Sequence, residues 1–153
     1  MSARKKQSPS WLESRLRTTE IQMQDSVLPT GATRLDDLIL YHFESGGSRT
    51  RAKLALSSAY ALGLPDRSCV ALASCCELIH NASLLHDDIQ DQDSQRRSRA
   101  SAWHQFDVNT AMCAGTLLLS GAYRALAGVA SGSAELTAHA HQRTSDLITG
   151  QVL

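Results

Sequence analysis

Proline is missing from the last 88 residues of this 153-residue chain; all three prolines (Pro9, Pro29, Pro65) precede them. Nothing after Pro65 therefore forbids long helices. β-Branched apolar residues are scarce, five Val and five Ile against 21 Leu and 20 Ala, which disfavours a sheet. Net charge is lacking as well: 15 basic and 15 acidic residues cancel, so bulk charge does not point to nucleic acid. The balance is uneven along the chain, because residues 1–18 hold five Lys/Arg and one Glu. That basic head, with Arg4, Lys5 and Lys6, reads as a solvated terminus.

No apolar core of a secretory signal is present near the N-terminus. The most apolar window, Ala111 to Tyr123, is too short to span a bilayer, so no transmembrane segment is expected. Cys69, Cys75, Cys76 and Cys113 form no C-x-x-C pair and sit among apolar residues. They read as reduced core cysteines of a cytoplasmic protein, not as a disulfide framework or a zinc site.

What is present spells helices. Ser10-Trp-Leu-Glu13 has the pattern of a capping box and opens a first helix. Residues 24–33, with Pro29 and Gly31, read as a loop. Leu35, Leu38, Ile39 and His42 share one face of a second helix that stops at Gly46-Gly47. A third helix runs from about Arg51 to Leu62, and a long fourth from Asp66 to about Asp91. A fifth covers 101–128 with a bend near Gly115 and Gly121, and a last starts near Ser133. The fold class is all-α. Residues 1–33 form a basic segment with the first helix, and residues 34–153 form the helical domain.

The densest chemistry lies in LLHDDIQDQDSQRRSR, residues 84–99. On a helix, Asp87 and Asp91 are i, i+4 neighbours and Asp88 and Asp91 are i, i+3, so the three carboxylates point into one sector. No Lys or Arg lies within a turn to relieve their repulsion. A divalent cation would relieve it, and Mg²⁺ is commonly held by one or two carboxylates plus substrate phosphate oxygens. Arg96 and Arg97 follow closely, and guanidinium binds phosphate in bidentate fashion. Other readings are weighed by spacing. A calcium loop needs Gly at its sixth position and Glu at its twelfth, and no start in residues 87–104 gives both. A metal phosphohydrolase would use His80 with His86-Asp87 and more ligands downstream, where His139 and His141 qualify by residue type alone. An acidic helix end followed by a basic loop is common, but leaves a shared carboxylate face unexplained.

From about Arg34 onward the chain resembles the all-trans polyprenyl diphosphate synthases. ELIHNASLLHDDIQDQDSQRR is similar to that family's first aspartate-rich motif, D-D-x-x-D, followed after four residues by R-R. RLDDLILYHFESGGSRTR resembles the segment ending in G-G-K-R-x-R-P. FDVNTAMCAGTLLLSGAY resembles the F-G-x-x-x-A-x-x-x-G-D-x-L helix, and TGQVL the start of G-Q-x-x-D-L. The G-G-x-R-x-R segment and the R-R pair also argue against a terpene cyclase.

The resemblance implies an all-α bundle of the isoprenoid synthase type, a central cavity and a homodimer. It implies Mg²⁺ on Asp87, Asp88 and Asp91, with an allylic diphosphate on Arg96. It implies isopentenyl diphosphate on Arg97, Arg51 and His80, and it leaves Asp93 without a role. Some positions depart from the pattern: Ser48 stands for the G-G-K lysine, with Arg49 beside it as the remaining cation. Ala52, Ser98, Ala100 and Thr116 replace a proline, a glycine, a proline and an aspartate. The Ser48 change favours a non-catalytic or regulatory subunit as the alternative. The family's second aspartate-rich motif is not in the sequence, which raises the expectation of an incomplete enzyme, a fragment, or half of a split one that needs a partner chain.

By helical spacing, Ala82 and Ser83 lie at least a turn deeper than Asp87, where a bulky aromatic in this family forms a floor that stops chain growth. Two small residues imply products of C20 or longer. Replacing Ala82 with Tyr or Phe should shorten the prenyl product, as read by chromatography of the labelled products. An unchanged distribution would refute the floor assignment.

Overall fold

The computed structural model describes residues 9–28 and 33–151. Its helices are α1 (Pro9–Val27), α2 (Arg34–Glu44), α3 (Thr50–Ala61), α4 (Asp66–Gln90), α5 (Ala102–Gln105), α6 (Val108–Leu126) and α7 (Ser133–Gly150). A two-stranded antiparallel ribbon, β1 (Gln95–Arg96) with β2 (Arg99–Ala100), joins α4 to α5. The all-α expectation holds, and the ribbon is the one element it omits.

The helix starts differ from the sequence expectation for local reasons. Ser10 lies inside α1, not ahead of it, and α1 continues to Val27 through part of the expected loop. The rest of that loop, Pro29 and Gly31 included, lies outside the described residues, as do Arg4, Lys5 and Lys6. A capping box does occur, but at α2. There the Thr33 hydroxyl accepts from the Asp36 N–H at 3.2 Å, and the Asp36 carboxylate accepts from the Thr33 N–H at 3.0 Å.

The helix expected over 101–128 is two helices, and the break falls at Phe106-Asp107, not at a glycine. Asp107 is the N-cap of α6. Its carboxylate accepts the Thr110 N–H at 2.7 Å and the Thr110 hydroxyl at 2.8 Å. These bonds, with Arg34 nearby, hold it below the usual carboxylate range. Arg34 also donates to the Phe106 carbonyl, which clamps α2 to the break.

α4 is the spine of the bundle: α6 and α3 pack along it, and α1 crosses both. Leu78, Ala82 and Leu85 of α4 join Ala111, Ala114 and Leu118 of α6 in the main core. Leu56 of α3 and Val70 of α4 belong to a second cluster under Trp11, whose ring meets Tyr60 at 4.4 Å. Small residues let the helices approach: Ser74, fully buried, donates its hydroxyl to the Thr19 carbonyl on α1. By length and composition α4 could cross a membrane, but 67% of its apolar window is buried within the bundle, as befits a core helix. The cysteines correct their sequence reading in part. Cys69 and Cys75 are buried, and burial pushes the Cys75 thiol up to about 12; Cys76 and Cys113 are exposed.

Gly121 marks the tightest approach of α6 to α1, because a Cβ there would overlap the Val27 side chain and crowd the Ser26 carbonyl. Gly121→Ala should therefore cost about 1–3 kcal/mol through overpacking. Urea unfolding would measure it, and a neutral result would mean that α1 can move away freely.

Candidate functional site

α4 carries two sets of polar residues at helical spacing. Glu77, Asn81 and Asp88 are buried, at 4%, 4% and 1% exposure. His80 and Asp91 stand three residues after Glu77 and Asp88, Asp87 stands seven after His80, and all three are half-buried to exposed. Three residues is most of one turn, so the two sets form adjacent stripes along the same helix. This divides the aspartate cluster. Asp88 does not share the open sector expected for it.

Asp88 is instead relieved by a cation that sequence distance had concealed. Arg96 Nε and Nη2 donate to both of its carboxylate oxygens at 2.6–2.8 Å. The contact is made because the ribbon folds back on α4. Arg97 and Ser98 both hold positive φ (51° and 63°) between β1 and β2, the pattern of a type I′ turn. Trp103 Nε1 donates to the Asp93 carbonyl at 2.9 Å, and the Tyr41 hydroxyl donates to the Ala100 carbonyl at 2.8 Å. The Arg99 guanidinium lies 4.3 Å over the Tyr41 ring. Hydrogen bonding to Asp88 raises the pKa of Arg96 above its already high value, so the guanidinium stays charged.

Arg97 points to the other side of the ribbon, at the Gly46-Gly47 turn. A Cβ on Gly47, where φ is 144°, would lie 2.8 Å from Arg97 Nη1, so only glycine permits this approach. Arg51, in the first turn of α3, brings its Nη1 to 3.2 Å from His80 Nε2. With the guanidinium donating, that ring nitrogen accepts, and burial together with the Arg51 charge pushes the His80 pKa down. His80 and Asp87 are seven residues apart, hence two turns along one face. Of the sequence-chosen residues, Arg51 thus meets His80, Arg97 lies against Gly47, and the Arg97 charge is felt at His80.

Two other residues of the sequence-derived site lie differently. Arg49, at φ 50°, turns inward: its side chain is 11% exposed and pairs with Glu20 at 3.0 Å and Glu77 at 3.6 Å. Among the described residues Ser48 bonds only Thr50, hydroxyl to hydroxyl at 2.7 Å. The serine-for-lysine change is therefore not offset by its neighbour.

Below Asp87, Ala82 and Ser83 line a small cavity with Ile79, His86, Leu119, Leu147 and others, and its volume is about 20 Å³. Its far wall is α7, whose Leu147 and Ile148 are half exposed. Gln151 at the end of α7 donates to Asp87 Oδ1. His86 Nε2 is buried without a hydrogen-bond partner, against Gly115, where a Cβ would strike the imidazole ring. His42 donates from Nε2 to Asn81 Oδ1 at 3.1 Å, and burial pushes its pKa down to about 4. Glu77, Asn81, His42 and Gln151 were not assigned roles from sequence. All four nevertheless lie in segments that carry the family resemblance.

The donor set left open suits Mg²⁺. Asp87 and Asp91 are hard oxygen donors one turn apart, and among the described residues neither is paired with Arg or Lys. Also among the described residues, no three His, Cys, Asp or Glu side chains converge into a complete metal cage.

The family model described as Polyprenyl synthetase matches residues 32–153. A nonaprenyl diphosphate synthase of Mycobacterium tuberculosis is 33% identical over 132 residues, 86% of this chain and 38% of that protein. A geranylgeranyl pyrophosphate synthase of Geoglobus acetivorans is 37% identical over 86 residues, 56% of this chain and 27% of that one. The crystal structure of a decaprenyl diphosphate synthase from Rhodobacter capsulatus superposes with a TM-score of 0.85 at 25% identity, covering 94% of this chain and 43% of that chain. The chain thus spans less than half the length of these relatives.

The division of the aspartates has a measurable consequence. Arg96→Ala should lower stability by about 3 kcal/mol or more, because it strands a buried carboxylate. Asp87→Asn and Asp91→Asn should each change stability by no more than about 0.5 kcal/mol. Guanidinium unfolding of the three variants would decide it, and equal losses in all three would undo the distinction.

Proposed function

The chain belongs to the polyprenyl synthetase family, and on that footing we propose that it supplies the first-aspartate-motif wall of a prenyltransferase that joins an allylic diphosphate to isopentenyl diphosphate. The observation that carries the reading is the contact of Arg51 with His80, with the Arg97 charge acting on His80 from beside Gly47 and with Asp87 and Asp91 further along the same face of α4. Guanidinium groups fit the oxygens of a diphosphate, and neutral His80 adds a hydrogen-bond partner without competing charge. Mg²⁺ held by Asp87 and Asp91 would supply neutralisation of the diphosphate leaving group. In the reaction the allylic C–O bond breaks, leaving an allylic cation and diphosphate. The isopentenyl double bond then forms the new C–C bond, and a proton passes to the released diphosphate.

On this reading Asp88 and Arg96 play unequal parts. Asp88 anchors the ribbon, and Arg96 offers an allylic diphosphate only its outward edge, since its side chain remains 24% exposed. The prenyl chain would grow past Ala82 and Ser83, the basis for products of C20 or longer. The cavity of about 20 Å³ holds little more than a water, so α7 must move outward for chain growth. A second copy or a partner chain would cover Val108 and Met112, which are exposed on α6.

One observation favours a second reading, a non-catalytic or regulatory prenyl synthase-like subunit. Ser48 carries no charge and Arg49 is occupied by Glu20 and Glu77, so the isopentenyl side has one cation fewer than the family pattern. The test is incorporation of labelled isopentenyl diphosphate with an allylic primer, at zero and millimolar Mg²⁺, alongside calorimetric binding of the primer. Synthesis predicts Mg²⁺-dependent product that Asp87→Asn and Asp91→Asn reduce by about 100-fold or more. Mg²⁺-dependent primer binding with no product at any isopentenyl concentration would select the subunit reading instead.

A further inference from the structure

Glu77 is a buried carboxylate with no role in the reaction as described. It sits on α4 one turn before His80 and is 4% exposed. Its surroundings show what it holds. Oε2 accepts the N–H of Ala52 at 3.1 Å, and Oε1 faces Arg49 Nη1 at 3.6 Å. Ala52 is the third residue of α3, and α3 has no cap from its own side chains: its N-cap, Arg49, makes no side-chain capping bond. A helix start normally needs such an acceptor, and its partial positive charge favours an anion. Glu77 supplies both from a different helix.

The same carboxylate faces the guanidinium of Arg49, which sits in the left-handed region at φ 50°. A non-glycine residue holds that conformation only when its surroundings impose it. Here Arg49 is held from two sides, by Glu77 and by Glu20 of α1. Glu77 is itself fixed at the next turn: Asn81 Nδ2 donates to the Glu77 carbonyl at 2.7 Å, and Asn81 Oδ1 accepts from His42 of α2. The chain between these anchors is Gly46 to Arg51, which carries Gly47 against Arg97 and Arg51 against His80.

We infer that Glu77 is a positioning residue that caps α3 in trans and clamps Arg49, thereby setting the Gly47–Arg51 loop in register to bind a diphosphate. It touches no substrate. The inference rests on reading Arg51, His80 and Arg97 as a diphosphate site. It explains why Arg49 faces inward although it neighbours the binding residues: the residue serves as a handle for the loop.

The test uses the 153-residue chain without metal, inorganic pyrophosphate as the probe, and calorimetry below the melting temperature. Amide hydrogen exchange of residues 46–52 is followed in parallel. Glu77→Ala should weaken pyrophosphate binding about tenfold and speed exchange selectively at Ala52 and its neighbours. Glu77→Gln keeps an acceptor for the Ala52 N–H but loses the charge opposite Arg49, and it should fall between, at about threefold. Val70→Ala, a core truncation elsewhere on α4, should lower the melting temperature and leave binding unchanged. Binding that is indifferent to both Glu77 variants, or weakened equally by Val70→Ala, overturns the inference and leaves the diphosphate site standing. Absence of binding by the unaltered chain, with no further change in Arg51→Ala, overturns the site itself and the role of Glu77 with it.

Discussion

The ion pair between Asp88 and Arg96 is the contact on which the site's geometry turns. An unpaired carboxylate at 1% exposure is strongly unfavourable, so the chain after α4 must return a cation to it. The ribbon is the shortest route that does so. Once it is folded back, Trp103 and Tyr41 seal it, Arg97 is delivered to Gly47, and the break before α6 falls where Asp107 can cap the next helix. A local electrostatic requirement at the end of one helix thus fixes the path of the following fifteen or so residues.

α4 meets two demands with one periodic pattern. Its buried polar stripe (Glu77, Asn81, Asp88) ties neighbouring segments together through Ala52, Arg49, His42 and Arg96. Its outer stripe (His80, Asp87, Asp91) is half-buried to exposed, with His80 against Arg51 and Asp87 accepting from Gln151. Burial separates the stripes energetically. Polar groups of the first are each satisfied by protein partners, as burial requires, whereas the second stands nearer the surface. The low dielectric beneath also strengthens the fields felt at the outer stripe.

Helix existence and most helix limits were legible because they rest on local signals: the scarcity of proline, the Gly46-Gly47 stop and the Gly63-Leu-Pro65 stop. The contact of Arg51 with His80 joins two residues that the motif resemblance singles out. What was not legible depends on contacts distant in sequence. Asp87 and Asp88 are adjacent and identical in type, and only the returning ribbon tells them apart. Arg49 resembles a binding cation until Glu20, 29 residues away, is brought alongside it. The break at Asp107 lay hidden in an otherwise uninterrupted helical pattern, because its cap closes on Thr110 and its clamp comes from Arg34. Exposure of Cys76 and Cys113 likewise follows from which faces of α4 and α6 are covered, not from the residues around them in sequence.

The adjacent arginines of the ribbon have a consequence for how this segment can vary. Neighbouring residues at the corner of a two-stranded turn look to opposite sides, so Arg96 and Arg97 are sorted between Asp88 and Gly47 by strand register. A slip of one position in the pairing of Gln95–Arg96 with Arg99–Ala100 would exchange the two duties, stranding Asp88 and emptying the side facing Gly47. Spacing is therefore guarded here more strictly than composition. The segment tolerates Ser98 and Ala100, but the insertion or loss of a single residue would break the Asp88–Arg96 pair and the Gly47–Arg97 approach at once.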